Sequence, residues 1–252
     1  DDRSAFVMKE LKSNKVKTHI FNDDSRPSSL KQRFRSKGKT LLRVSDLSEN
    51  SISKDIQMKI FSKLKKIIND IDLIIFSDFN YGVLPQPLVE KITKLAKDHG
   101  VTLAADSQSS SQTGDIARFK NADIITPTER EARISLRDNQ SGLVGLAENL
   151  RKETSAEHIF LKLGEEGLLI HSGNPEIPEN WVTDRVNVLN ESPRDVAGAG
   201  DSMLIASSLA LICGANIWES AFLGSIAAAI QISRVGNTPI QQKEILNVLK
   251  SI

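Results

Sequence analysis

Leu73-Ile74-Ile75-Phe76, then Leu88, Ile92, Leu95 and Ala96 at helical spacing behind Pro85 and Pro87, then Val101-Thr102-Leu103-Ala104-Ala105, reads as strand, helix, strand. The same alternation runs on downstream. Ile124-Ile125 and Ile159-Phe160-Leu161 are further short apolar runs, and Leu143, Leu146, Ala147 and Leu150 mark a helix between them. Short strands apolar on both faces, separated by amphipathic helices, indicate stacked strand-helix-strand units around a parallel sheet. The reading is an α/β fold, mostly parallel and flanked by helices.

Upstream the pattern changes. Residues 5–12 read as a helix and 16–21 as a strand. Residues 30–35 and 40–44 flank Ser36-Lys37-Gly38-Lys39 as an antiparallel hairpin. Lys31, Arg33, Arg35, Lys37 and Lys39 stand at every second position, which in a strand puts them on one face. A solvated strand face accounts for that spacing. The sharper reading is a positive flap over an anionic ligand. A nucleic-acid surface ranks third, because only Phe34 supplies an aromatic ring there.

Composition sets the outer limits. With 33 Lys and Arg against 32 Asp and Glu in 252 residues, the charge balance disfavours a dedicated nucleic-acid binder. Cys213 is the one cysteine, so an intrachain disulfide is impossible; inside an apolar helix it reads as a small buried hydrophobe. No run is long and apolar enough for a membrane span, and Asp1-Asp2-Arg3-Ser4 does not begin a signal peptide. The expected setting is soluble, reducing and cytoplasmic. His19, His99, His158 and His171 show no metal-ligand spacing and read as surface or strand-end residues. Trp181 and Trp218 read as packing residues, Ser109-Ser110-Ser111 as a loop, and Lys63, Lys65 and Lys66 as the wet side of a helix.

The chemistry concentrates in Asp195-Val196-Ala197-Gly198-Ala199-Gly200-Asp201, followed by an apolar helix expected over 202–213. Small residues let the backbone turn tightly and expose successive N–H groups at a helix start, where anions bind. Simple N-capping by Asp201 would explain one acid. It would not explain two acids framing two small-residue turns. An anion cradle with a carboxylate beside it implies phosphoryl transfer to an alcohol, Asp201 taking the hydroxyl proton.

This heptad resembles the second signature of the ribokinase-like (phosphofructokinase-B) sugar kinases. Ser77-Asp78-Phe79-Asn80-Tyr81-Gly82, Asp106, Thr126-Pro127-Thr128-Glu129-Arg130-Glu131 and Leu161-Lys162-Leu163-Gly164-Glu165-Glu166-Gly167 follow the family's order. The hairpin, with Arg26-Pro27-Ser28-Ser29 and Leu41-Leu42-Arg43-Val44, is most similar to the branch acting on heptose 7-phosphate, where the kinase is often joined to a nucleotidyltransferase.

The resemblance implies one ribokinase-like domain over 1–252, with a lid at about 16–46 that often pairs with a second subunit's lid. The family's opening strands and glycine-rich sugar motif are expected to lie upstream of Asp1. Asp201 would be the general base and Gly198, Ala199 and Gly200 the anion hole. Thr128, Lys162, Gly164, Gly167 and Ser225 would meet the nucleotide, ATP; Glu131 would organise Mg²⁺ through water. Asp195 would help hold a monovalent cation. Asp78, Arg33 and Arg43 would meet the sugar or sugar phosphate. Thr128, Lys162 and Ser225 replace the family's Asn, Thr and Asn, and Tyr81 and Gln108 stand where the branch has Lys. These departures keep a second reading open: a catalytically weakened module serving assembly of a larger sugar-nucleotide protein.

Overall fold

The computed structural model describes all residues except 37–38, 110–112, 175–176 and 252. Its main sheet has six strands in sequential order: β3 (Leu73–Asp78), β4 (Thr102–Ser107), β5 (Ile124–Ile125), β6 (His158–Lys162), β7 (Leu168–Asn174) and β8 (Ile177–Val186). β3 to β6 run parallel, and β7 and β8 fold back antiparallel. A separate two-stranded ribbon, β1 (Leu30–Ser36) and β2 (Lys39–Asp46), is antiparallel as expected.

Period-2 alternation divides the apolar residues between two cores. Leu103, Ala105, Ile125, Ile159 and Leu161 point to one face, where α2 (Lys54–Ile67), α3 (Gln86–Asp98) and α5 (Leu143–Thr154) cover them. Ala104, Ile124, Phe160, Leu168 and Ile170 point to the other. That second face lies under α6 (Ala199–Ile212) and α7 (Ile217–Ile232). The two helices approach closely at Gly224, where a Cβ would stand 2.0 Å from Ser207 Oγ.

Local chemistry fixes the helix starts that matter. Pro85 precedes α3 with a second proline in its first turn, where a missing N–H costs nothing. Thr128 and Glu131 form a reciprocal capping box at α4 (Glu129–Leu136). Asn216 and Glu219 do the same for α7.

Several expectations need correction. Residues 16–21 form no strand: they follow α1 (Asp2–Ser13) as irregular chain, and no strand among the described residues pairs with them. The side chains of Lys37 and Lys39, and the residues Ser110 and Ser111, lie outside what is described. Cys213 is exposed, because α6 ends at Ile212 and the chain turns outward. Trp181, though 41% exposed, packs on the His171 ring at 5.0 Å between centroids as expected. His171 is fully buried, not at a surface. Its Nε2 meets Glu148 Oε2 at 2.8 Å, and Arg151 donates to both Glu148 oxygens at 2.7 and 3.0 Å.

This buried cluster and His158 make stability pH-dependent. Burial alone would push the Glu148 carboxyl up, but Arg151 and His171 outweigh it and hold the group at about 2. Burial pushes His158 down to about 4. Both folded values lie below the unfolded ones, so both contributions are complete above about pH 6.5. The His158 part is lost as pH falls from about 6.5 toward 4, and the Glu148 part from about 4.5 toward 2. Thermal melts across pH 8 to 3 should be flat at the top and fall in two stages. A midpoint unchanged down to pH 4 contradicts the His158 assignment.

Candidate active site

The parallel strands deliver their chemistry at their carboxyl ends: Asp78 from β3, Asp106 and Ser107 from β4, Thr126 to Thr128 after β5, and Lys162 from β6. Open α/β sheets bind ligands along this edge. The Asp195–Asp201 heptad arrives there from the opposite side of the sheet.

α6 begins at Ala199, three residues earlier than the sequence suggests. Gly198 takes the cap position in a left-handed conformation, φ 80°, and a Cβ there would lie 2.5 Å from Asn237 Oδ1. Glycine is therefore required for both reasons. Asp201 is the third residue of the helix, so the capping reading is wrong for it. Among the described residues no side chain caps this end of the helix, where the macrodipole is positive and the Ala199 N–H turns back to Val196 O at 3.4 Å.

One polar contact ties the heptad to the chain leaving β4, and a second ties β6 to β4 beside it. Gln108 Nε2 donates to Asp201 Oδ1 at 3.0 Å. Lys162 Nζ donates to Asp106 Oδ1 at 3.0 Å and sits 3.1 Å from where a Cβ on Gly200 would be. Burial pushes the Asp106 carboxyl up against the pull of Lys162, and the charges of Glu131 and Asp201 push it further. Lys162 is thus the cation paired with Asp106, beside Gly200 in the first turn of α6. Gln108, noted in the sequence only as standing where the heptose branch has Lys, is the residue that holds Asp201.

A cavity of about 500 Å³ opens beside this turn, and Lys162, Gly164, Gly167, Ala199, Gly200 and Ser225 all line it. The sequence therefore brought six predicted residues to one cleft. It missed the loop 187–191, which forms the opposite wall. Gly167, at φ 89°, lies so close to β8 that a Cβ would stand 2.2 Å from Val186 O. Ser225 donates to Ala221 O at 2.9 Å within α7.

The other predicted residues sit outside that lining. Thr128 Oγ1 accepts the Glu131 N–H at 3.2 Å, and Glu131 returns the bond to Thr128 N at 2.8 Å while also accepting Ser109 N–H at 3.0 Å. Both side chains are thus engaged in shaping the start of α4. Among the described residues no group of three or more His, Cys, Asp or Glu is placed to hold a metal ion. With both carboxylate oxygens already accepting backbone N–H groups, Glu131 would meet a magnesium ion through water.

Asp78 does not face the cleft as a free carboxylate. It is 4% exposed and accepts from Arg118 Nη2 at 2.7 Å, Ser107 Oγ at 3.2 Å and the Asn80 N–H at 2.9 Å. Buried anions are retained when so partnered. Its work is to set the turn at Asn80, whose amide in turn holds Gln108 O at 2.9 Å.

For Lys31, Arg33 and Arg35 the predicted one-sided charge is observed. Lys31 Nζ lies 5.4 and 5.1 Å from the rings of Phe79 and Tyr81, and Arg35 Nη1 donates to Asp195 Oδ2 at 2.7 Å. Arg33 lies between them on the same face, directly opposite Arg43, and both are exposed. The Asp195 carboxyl, which burial would raise, is held below the usual range by the amides of Ala197 and Gly236 and by Arg35. The expected monovalent-cation ligand thus already faces three N–H donors.

A family model described as pfkB family carbohydrate kinase matches residues 1–243. The chain belongs to the pfkB family of carbohydrate kinases. Members of that family are carbohydrate kinases, which transfer a phosphoryl group to an alcohol acceptor. This pfkB kinase is 30% identical over 227 residues to the bifunctional protein HldE of Desulfatibacillum aliphaticivorans, 88% of this chain and 44% of that protein. It is 28% identical to that of Aliarcobacter butzleri, covering 98% of this chain and 51% of that one. The chain spans about half the length of the curated relatives it matches. Ribokinase from Giardia lamblia shares the fold at a TM-score of 0.78 and 17% identity, covering all of this chain and 80% of that one. Phosphofructokinase-2 from Escherichia coli, solved with potassium, gives a TM-score of 0.65 at 16% identity, covering 83% and 66%.

Proposed function

We propose that this pfkB kinase transfers the γ-phosphoryl group of ATP to a hydroxyl of a sugar phosphate, with a heptose 7-phosphate as the favoured acceptor. The observation that carries the reading is an uncapped helix start and Lys162 lining one cleft, with Asp201 just outside that lining and next in the chain to Gly200. Amides and ammonium hold the phosphoryl oxygens, and Asp201, steadied through one oxygen by Gln108, takes the acceptor's proton through the other. Magnesium, held by phosphate oxygens and water with Glu131 reached through water, would supply further positive charge there. The glycines at 164 and 167 let the loop lie along the nucleotide.

The acceptor's own phosphate is argued from the ribbon. Arg33 and Arg43 are paired, exposed and on the face turned to the body, the arrangement that recognises a phosphate by charge-assisted bonds. Each such bond is worth roughly 1.5–3 kcal/mol. Replacing both with Ala should raise KM for a phosphorylated sugar about 100-fold or more while KM for ATP stays put. An unchanged KM removes the ribbon from acceptor binding. The similarity to proteins named bifunctional, together with their double length, supports a nucleotidyltransferase as fused or associated partner. The outward residues Phe34, Leu42 and Val44, each more than two-fifths exposed, suit pairing with a second copy's lid.

The reading of a weakened assembly module draws on Thr128 and Ser225, whose hydroxyls are engaged within their own helices. ATP turnover by purified protein against sugars and sugar phosphates separates the two. Turnover with a heptose 7-phosphate supports the kinase, and nucleotide binding with no turnover across the panel supports the module.

A further inference from the structure

The lid and the heptad meet at a single carboxylate. Asp195 Oδ1 accepts the Ala197 N–H at 3.2 Å; Oδ2 accepts the Gly236 N–H at 3.2 Å and Arg35 Nη1 at 2.7 Å. A carboxylate offers about four lone-pair sites, and here three face N–H donors. An alkali cation needs converging oxygens with lone pairs turned toward it, whereas among the described residues three N–H donors already occupy Asp195's lone-pair sites. The donor set therefore does not fit a bound cation in this arrangement. A guanidinium already stands there.

Its position links two parts of the molecule. Arg35 and Asp195 are 160 residues apart in sequence, and their side chains are only 26% and 18% exposed. Asp195 fixes the entry to the turn that presents the Gly198 cap, through the Ala197 amide. Gln231 secures the same turn from α7, donating to Ala197 O at 3.3 Å and Gly236 O at 2.9 Å. A charge delivered by the ribbon thus closes the shell around the loop that aims the amides of α6.

We propose that Arg35 is a tethered cation that takes the place of a monovalent ion at Asp195 and couples seating of the lid to the geometry of the Gly198–Asp201 turn. Arg35 touches no reacting atom in this scheme and is a positioning residue. The proposal rests on the kinase reading above for its turnover arm, and on the Asp195 contacts alone for its binding arm.

The test compares potassium chloride with tetramethylammonium chloride at equal ionic strength. Wild-type turnover should agree in the two salts within about twofold. Arg35→Ala should lose roughly tenfold in kcat in tetramethylammonium and regain most of it in potassium, because a small ion then reaches the vacated carboxylate. Arg35→Lys, which keeps the charge, should stay near wild type in both salts. The second arm needs no activity: melting of the ligand-free protein should be indifferent to potassium in wild type and raised by it in Arg35→Ala. Strong potassium activation of the wild type, or potassium-indifferent melting of Arg35→Ala, overturns the proposal. Absence of turnover in every protein and salt, with the predicted melting pattern intact, refutes the kinase reading and leaves the cation assignment standing.

Discussion

Asp201→Asn should lower kcat by about 10²–10⁴-fold, the usual contribution of a positioned general base. The substitution keeps shape and keeps the contact to Gln108, because the amide oxygen still accepts the bond that the Gln108 side chain donates to Oδ1 at 3.0 Å. The substituted side chain lacks the basic oxygen that receives the acceptor's proton. Affinity for ATP, measured by calorimetry, should change little, because the amides and Lys162 remain. The loss should appear in kcat for every acceptor tested, unlike the KM effect expected of the ribbon arginines. Full turnover in this variant would refute the assignment of Asp201. So would a loss confined to ATP binding.

Lys162→Met should weaken ATP binding about 10–100-fold, the worth of one charge-assisted contact of roughly 1.5–3 kcal/mol. The single substitution also leaves Asp106 buried without its cation, and breaking a buried pair costs about 3–5 kcal/mol. A fall in stability therefore accompanies it. The double variant Lys162→Met with Asp106→Asn separates the effects. Removing both charges should restore most of the melting temperature, because no unpaired ion is left inside. ATP affinity should remain low, because the phosphate still lacks its ammonium. If the double variant recovers both, Lys162 serves the fold alone.

Much of this architecture was legible because it rests on period and on small residues. The apolar runs at 73–76, 101–105, 124–125 and 159–161 became β3 to β6 because a strand buried on both faces must be apolar throughout. The heptad was legible because only Gly198 tolerates a left-handed cap packed against Asn237. What escaped the sequence was long-range polar pairing. Asp78 matched a motif at a strand end, yet its fate depends on Arg118, 40 residues on, and that pairing leaves no local trace. Arg35 and Asp195 present the same problem over a greater distance. His171 read as a surface or strand-end residue because nothing local announces Glu148 and Arg151 waiting on a neighbouring helix. Residues 16–21 have strand-like composition, but a strand requires a partner edge, and no described strand lends them one.

The central claim is that the first turn of α6 receives the nucleotide's transferable phosphate. A crystal structure of the protein with a non-hydrolysable ATP analogue and magnesium tests it most directly. The adenosine should lie in the 500 Å³ cleft beside Gly164 and Gly167, with the terminal phosphate on the amides of the Gly198–Asp201 turn and within reach of Lys162 Nζ. A phosphate tail bound elsewhere, with that turn and Lys162 left untouched, would contradict it.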